Sequence, residues 1–484
     1  MEIALVIIQA CVVIGAIVLG VRTGGIGLGL WGVVGTVILV FVFRLPPGSP
    51  PIDAFFIIIA VITASSAMQA AGGIDYLVSI ASKIIQRNPR RLTYVAPLVA
   101  FVFTVLSGTS NIFFALIPVI YETAYRNGQR PEKALASSTV TSGLGITASP
   151  VSAAMAAYLV LMESKGFGLP QVLAITVPSA IVACIVTSFV QQRVGKELLA
   201  DPVFLKRVEA GTVQVPAPLE ARYQQSIGAA PATATAGGTT TATTTKPPRG
   251  SGRLTKEEAS VIEHPVPPGG ATAAWIFVVG TLFVVLLGLF PSLRPAFPDA
   301  EGTPQPIPMA TVIEMVMFTV ALVIILVRRV KPSLVVEQPL LRAGFVAAVA
   351  LFGIAWMADT FISANQETII QPLGELIKAN PLLLAVALFV VAGLTTSQSA
   401  TTNTLVPIAL AAGLAPGVIT AMWPSLIGVW LFPANGSQIA AVETDRTGST
   451  RLTQVPVWHS FTIPMLVSWV SVVLSGLLIQ LVIH

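Results

Sequence analysis

The chain has 484 residues, 54% of them hydrophobic and 10% charged, with a formal net charge of +5 and a mean hydropathy of +0.83. Soluble domains carry roughly 25% charged residues, so this composition excludes an ordinary soluble enzyme and a disordered protein. It describes a polytopic membrane protein, and the near balance of 27 basic and 22 acidic residues leaves no nucleic-acid footprint.

Ten apolar stretches are predicted to cross the bilayer: about 3–20, 25–43, 53–72, 132–162, 170–190, 272–290, 310–327, 341–358, 416–441 and 456–482. The first follows Met1-Glu2 without a basic region or a small-residue cleavage site, so a transmembrane helix is expected there, not a signal peptide. Two further runs, 92–122 and 381–412, are broken by small polar residues and read as re-entrant hairpins. The amphipathic stretches 74–87 and 366–379 ahead of them read as interfacial arms. Residues 191–271 are hydrophilic, and their Ala/Thr/Pro/Gly-rich middle cannot bury a core, so a largely disordered linker is expected. Cys11 and Cys184 lie in apolar runs and read as core residues. His264, His459 and His484 form no metal cluster, and none is expected near the polar breaks.

The linker separates two halves, 1–190 and 272–484, that resemble each other. Asn88-Pro89 matches Asn380-Pro381, Pro118 matches Pro407, and Pro131 matches Pro416, at offsets of 292, 289 and 285. With one hairpin each, both halves have five crossings, an odd number, so the repeats insert in opposite orientations. Placing the linker inside puts 23 Lys and Arg on the cytoplasmic side and four outside: Arg44, Lys165, Arg294 and Lys378. Without the nine of the linker the ratio is 14 to four. Both termini are then periplasmic.

Four polar breaks fall at membrane depth: Ser107–Asn111 and Thr395–Asn403 as hairpin tips, Gly145–Pro150 and Pro433–Ser437 as interruptions of the broken helices 132–162 and 416–441. Unpaired backbone in hydrocarbon costs several kcal/mol per group, so such breaks survive only when buried in protein or lining a cavity. Each exposes helix ends, and a helix N-terminus attracts anions. Ser110 or Asn111 is expected to cap one such helix, and Thr402 or Asn403 another. Two N-termini facing one cavity suit a small ligand with two carboxylates. The candidate shell is Ser107, Gly108, Thr109, Ser110 and Asn111; Thr147, Ser149 and Pro150; Ser397, Gln398, Ser399, Thr401 and Thr402; and Pro433, Asn435 and Gly436. The competing reading is that small and hydroxyl residues only mediate helix packing. No Lys or Arg lies well inside a span, so a dianion would bind with modest affinity or be compensated by a co-bound cation or proton, with a co-transported proton or sodium ion as the candidates. Asp359 and Glu314 are candidate coupling sites; Asp359 also reads as an interfacial cap, and Glu314 as a residue facing the bundle interior without a transport role.

At these residues the chain resembles the anaerobic C4-dicarboxylate transporter (Dcu) family. The resemblance rests on RTGGIGLG (22–29), SAMQAAGGIDYLV (66–78), RNP (87–89), SGTSNIFFALIPVI (107–120), ITASPVSAA (146–154), AWMADTF (355–361) and SQSATTNTLVPIAL (397–410). It covers both halves and departs in the linker, which is longer and richer in Thr, Ala and Pro than expected. It implies bacterial inner-membrane exchange or proton-coupled movement of fumarate, succinate, malate or aspartate. It also implies an elevator-type architecture of two inverted repeats, and by analogy a homodimer. Some family members influence a sensor kinase, a role that no residue here indicates. A symporter for another small anion is the nearest rival. A channel would need a continuous pore, a membrane enzyme a nucleophile–base pair or a metal cluster, and a regulator would bind substrate without moving it.

Overall fold

A computed structural model describes residues 2–23, 26–228, 266–298, 303–365, 380–432, 435–452 and 457–483. The arm expected at 366–379 and the candidate Pro433 lie outside the described residues.

The first half opens with α1 (Glu2–Thr23) and α2 (Gly27–Val37), which runs on into a π-helical turn at Ile38–Val42. Then come α3 (Ile52–Ala70) and α4 (Gly73–Arg87), bent by 74° against each other at Ala71-Gly72. The first hairpin is α5 (Leu92–Ser107) and α6 (Asn111–Arg126), packed against each other across a three-residue turn. The broken helix is α7 (Pro131–Thr147) and α8 (Ala153–Glu163), and α9 (Leu169–Arg193) closes the half. The helices α10 (Pro202–Glu209) and α11 (Ala217–Gly228) begin the hydrophilic segment.

The second half runs α12 (Gly270–Leu289), α13 (Met309–Arg328), the short α14 (Pro332–Val336) and α15 (Pro339–Ala364). Its hairpin is α16 (Leu382–Thr395) and α17 (Gln398–Ala411). Its broken helix is α18 (Pro416–Met422), a 3-10 run at Trp423–Trp430, and α19 (Gly436–Thr444), and α20 (Thr462–Gln480) ends it. The all-helical expectation has one exception, an antiparallel ribbon of β1 (Ala296–Pro298) with β2 (Pro304–Pro306). Six described helices are long and apolar enough to cross a bilayer, or seven with the bent α3–α4 pair. One of the six is α5 with its leading turn. The protein is a multi-pass membrane protein.

Two groups of helices meet. In one, α2 packs on α15, α3 on α13 and α15, α1 on α2, and α12 on α13. Glycines permit this: a Cβ on Gly353 of α15 would fall 1.9 Å from the Gly29 carbonyl oxygen of α2, so backbone lies on backbone. In the other, α5 packs on α7, α16 on the 3-10 run, and α9 on α20. The groups touch where α3 meets α8 and α15 meets α17. Pro131 and Pro416 each occupy the first turn of α7 and α18, where a missing N–H removes no helical bond. Cys184 is buried as expected, but Cys11 on α1 is exposed.

The hydrophilic segment starts with folded chain. Asp201 caps α10 through a 2.9 Å bond from the Val203 N–H, with Pro202 in the first turn. Its carboxylate also lies 2.7 Å from Arg130, ahead of α7, and 2.9 Å from Arg451, beyond α19. Arg130 pairs with Glu132 at 2.6 Å, and the Tyr125 hydroxyl donates to the Gln214 carbonyl. Phe204 and Leu198 are buried in a small cluster of their own with Val213. The expectation of a largely disordered linker therefore does not hold for residues 198–228. The low-complexity stretch 229–265 lies outside the described residues.

Candidate functional site

The first hairpin turns at Gly108, whose φ of +70° is a left-handed conformation that glycine takes without strain. Its N–H bonds the Thr104 carbonyl at 2.9 Å. The Ser107 hydroxyl donates to the Thr109 carbonyl at 2.9 Å, which folds the tip onto itself. A Cβ on Gly108 would meet the Val151 carbonyl oxygen at 2.6 Å, so the tip lies directly on the break between α7 and α8. Ser149 in that break donates to the Val105 carbonyl of α5 at 2.8 Å, and Thr147 to Leu144 at 3.0 Å. Ser149 and Pro150 are buried, and Ser152, not an expected site residue, caps α8 by accepting from Met155 N–H at 3.0 Å.

The second hairpin turns at Thr396, with φ +50°. Thr402 and Asn403 do not cap α17, contrary to expectation. The helix starts earlier, at Gln398, and Ser397 is its cap, accepting from Ala400 N–H at 3.2 Å. Thr402 instead donates to the Gln398 carbonyl at 2.8 Å and accepts from the Trp423 indole at 2.9 Å. Asn403 returns to the Ser399 carbonyl, and Thr401 to that of Ser397. In the second broken helix, Asn435 is the cap of α19, with Gln438 completing a reciprocal capping box. Gly436 abuts the Phe114 ring of α6.

Four helices thus open at these interruptions: α6, α8, α17 and α19. Side chains cap three of them, while Ser110, half-buried at the N-cap position of α6, makes no side-chain cap bond. Asn111 is the first residue of α6; its side chain lies outside the described ones. Uncapped N–H groups keep their partial positive charge available to an anion.

The halves interlock here. The second part of each broken helix packs on the other half's hairpin, α8 on α17 and α19 on α6. Tyr158 of α8 stacks on Trp423 at 4.1 Å and bonds Thr420 of α18 at 2.7 Å. The last turns of α7 are a shared neighbour. On one side Gly145 leans on Thr104 of α5, and on another Gln398 of the second tip donates to the Gly143 carbonyl at 3.1 Å. The Trp430 indole lies over Gly143, where a Cβ would fall 2.9 Å from Nε1.

The bonds of Asp359 tie it to another segment than the tips. The Asp359 carboxylate accepts from the Ser49 N–H at 2.7 Å, while Thr360 and Trp356 hold Gly48. It ties α15 to the 44–51 connection. Glu314 is half-buried on α13, among helices that pack on α3 and α12. Conversely, His459 does lie beside a break. Its Nε2 is 3.3 Å from the Leu431 carbonyl, and its Nδ1 accepts from Phe461 N–H at 3.2 Å. Burial lowers its pKa, partly offset by the Leu431 bond. The sequence reading missed it, along with Trp430 and Gly143; Ser397 was expected in the shell, though not as the cap of α17.

Residues 5–484 match a family described as anaerobic C4-dicarboxylate membrane transporters. Anaerobic C4-dicarboxylate transporter DcuB of Escherichia coli O6:H1 is 34% identical over 465 residues, 95% of each chain. C4-dicarboxylate transporter DcuA is 32% identical over 462 residues in E. coli K12, again 95% of each chain, and equally so in Wolinella succinogenes. Among solved structures, Neisseria gonorrhoeae MtrF, of a class of antimetabolite efflux pumps, aligns with TM-score 0.53 at 13% identity, covering 92% of this chain and 83% of its own. That likeness concerns the fold alone. The chain belongs to the anaerobic C4-dicarboxylate membrane transporter family, a family of transporters and not of enzymes.

Proposed function

We propose that this family member is a secondary transporter that exchanges C4-dicarboxylates across the bacterial inner membrane. The halves 1–190 and 272–484 act as inverted repeats, with both termini periplasmic. The hairpins and broken helices form a moving unit, and α1–α3 with α12, α13 and α15 form the scaffold it slides on. The homologues' named substrates supply the substrate class. The observation that carries the mechanism is the crosswise packing of α8 on α17 and α19 on α6, which winds both halves around one region. The contacts of α3 with α8 and α15 with α17 supply a scaffold surface.

In this reading one substrate carboxylate sits at the uncapped start of α6, near Ser110 and Asn111. The other meets the second tip around Gln398 and Ser399. Ser107, Thr147, Ser149, Thr401, Thr402 and Asn435 act indirectly, because the hydroxyls and the Asn435 amide oxygen shape the tips and breaks through the bonds given above. Gly108 and Gly436 keep the approach of the neighbouring segments close. Exchange follows naturally where the bound anion itself balances the moving charge. Exchange needs no coupling through Asp359, whose carboxylate is bonded to the 44–51 connection. A homodimer through scaffold helices is proposed by analogy.

Counterflow in proteoliposomes tests this. Vesicles loaded with unlabelled fumarate should take up labelled succinate rapidly, and empty vesicles should not. Equal uptake by empty vesicles under a proton or sodium gradient would replace exchange with symport. No uptake under either condition by folded protein would remove the substrate class.

A further inference from the structure

Two buried polar atoms of opposite kind are left without a partner beside Gly143: the Gln398 Oε1 acceptor and the Trp430 Nε1 donor. Gln398 is 7% exposed and Trp430 2%. The orientation of the Gln398 amide is fixed, because its Nε2 must face the Gly143 carbonyl; the reverse would set two oxygens against each other. The two side chains come from different elements, the start of α17 and the end of the 3-10 run, and both end on the same residue of α7. Gly143 cannot carry a side chain without displacing the indole, whose Nε1 would lie 2.9 Å from the added Cβ. A buried donor or acceptor without a partner is destabilising, and such groups in native proteins commonly await a ligand or water.

We propose that Gln398 reads the second carbon of the substrate beside a carboxylate held by Trp430, and that the site thereby prefers 2-amino and 2-hydroxy C4-dicarboxylates, such as aspartate and malate, over succinate and fumarate. This rests on the dicarboxylate reading of the hairpin tips. The Trp430 N–H suits a carboxylate oxygen, which every substrate of this class offers. The Gln398 oxygen needs a donor, and the dianions of succinate and fumarate have none. The ammonium group of aspartate or the hydroxyl of malate supplies it. The discrimination thus comes from one acceptor atom, while the indole contributes to all substrates alike.

The test is uptake of labelled aspartate and labelled succinate by the full chain in proteoliposomes, with KM measured for each. The wild type should favour aspartate by roughly tenfold, the effect of one satisfied buried hydrogen bond. Gln398→Met keeps the length and removes the oxygen. It should raise the aspartate KM to that of succinate, so that aspartate loses about tenfold more than succinate does. Gln398→Glu keeps an acceptor and adds a negative charge, so it should retain aspartate and lose succinate, which keeps the test decisive if the Met variant fails to fold. Trp430→Phe should raise both KM values together. Equal losses for both substrates in both Gln398 variants would make Gln398 only a tie to Gly143 and overturn the proposal. So would a wild type that does not distinguish the two. A wild type that takes up neither substrate would instead sink the dicarboxylate reading on which the proposal rests.

Discussion

Replacing Asp201 by Asn should destabilise the folded protein by about 3 kcal/mol, at the lower end of what breaking a buried ion pair costs. The Asp201 side chain is 1% exposed and its partner Arg130 5%. Asn keeps the volume and the cap on Val203, so neither packing nor α10 is lost directly. What disappears is the charge facing the Arg130 Nη1 at 2.7 Å. Arg130 retains Glu132 at 2.6 Å and the carbonyls of Lys196 and Ser449, which places the loss at the low end. Arg451, the second partner, is 41% exposed, so solvent screens its share, and Arg451→Met should cost about 1 kcal/mol or less. Asp201→Ala should exceed Asp201→Asn by about 1 kcal/mol through the lost cap. SDS-titrated unfolding in mixed micelles, followed by tryptophan fluorescence, measures all three. An Asp201→Asn protein within 1 kcal/mol of wild type, or an Arg451→Met loss as large as that of Asp201→Asn, would refute the assignment of the energy to the Arg130 pair. The result matters for transport because these charges fasten residues 198–214 to the ends of both broken helices.

Other outcomes follow from single contacts. Gly143→Ala should reduce transport at least tenfold while the protein still inserts and purifies, because the indole must move; proteoliposome uptake beside a size-exclusion profile checks this. Ser399→Ala and Asn111→Ala should each raise the KM for succinate several-fold with expression unchanged; wild-type KM in both would remove the tips from the site. His459 is held neutral in the fold, its pKa depressed chiefly by burial. The unfolded chain therefore binds a proton that the native one refuses as pH falls below the ordinary value near 6.5. Stability should decline from there down to the folded pKa, and His459→Gln should flatten that decline in unfolding titrations between pH 7 and pH 5.

Much of this molecule was legible because a bilayer leaves a chain few options. Apolar runs must become helices, so α1, α9, α12 and α13 begin and end within a few residues of where hydropathy put them, while α20 starts only at Thr462 and α2 passes into a π-helical turn after Val37. Gly108 makes the turn that the Ser107–Asn111 break marked, whereas the cap at Asn435 was expected only as a shell residue. The second broken helix was harder. Trp423–Trp430 has no polar residue but Ser425, yet it winds as a 3-10 run packed on α16. There Gly428 sits with its Cα against the Phe389 backbone, a contact that hydropathy cannot register. Asp201-Pro202 was a legible helix start, but it was read as part of a largely disordered hydrophilic linker, because its stabilising partners Arg130 and Arg451 lie far away in sequence. Gln398, Gly143 and Trp430 were invisible as a group for the same reason: three residues from three elements, none unusual alone. The Asp359 carboxylate drew attention by its charge near a membrane span, whereas its bond to Ser49 joins segments far apart in sequence that hydropathy does not bring together.

Whether the hairpin tips hold the substrate is tested most directly by cysteine protection. Ser399 and Ser110 are both half-buried, and the native thiols Cys11 and Cys184 can be replaced by Ala to give a clean background. Single-cysteine proteins, Ser399→Cys and Ser110→Cys, are labelled with a maleimide in proteoliposomes with and without ligand. Aspartate or succinate at ten times its dissociation constant should slow labelling at both positions about tenfold by simple occupancy, and a monocarboxylate such as butyrate should not. Labelling at unchanged rate at both positions, in protein that still exchanges dicarboxylates, would place the substrate elsewhere.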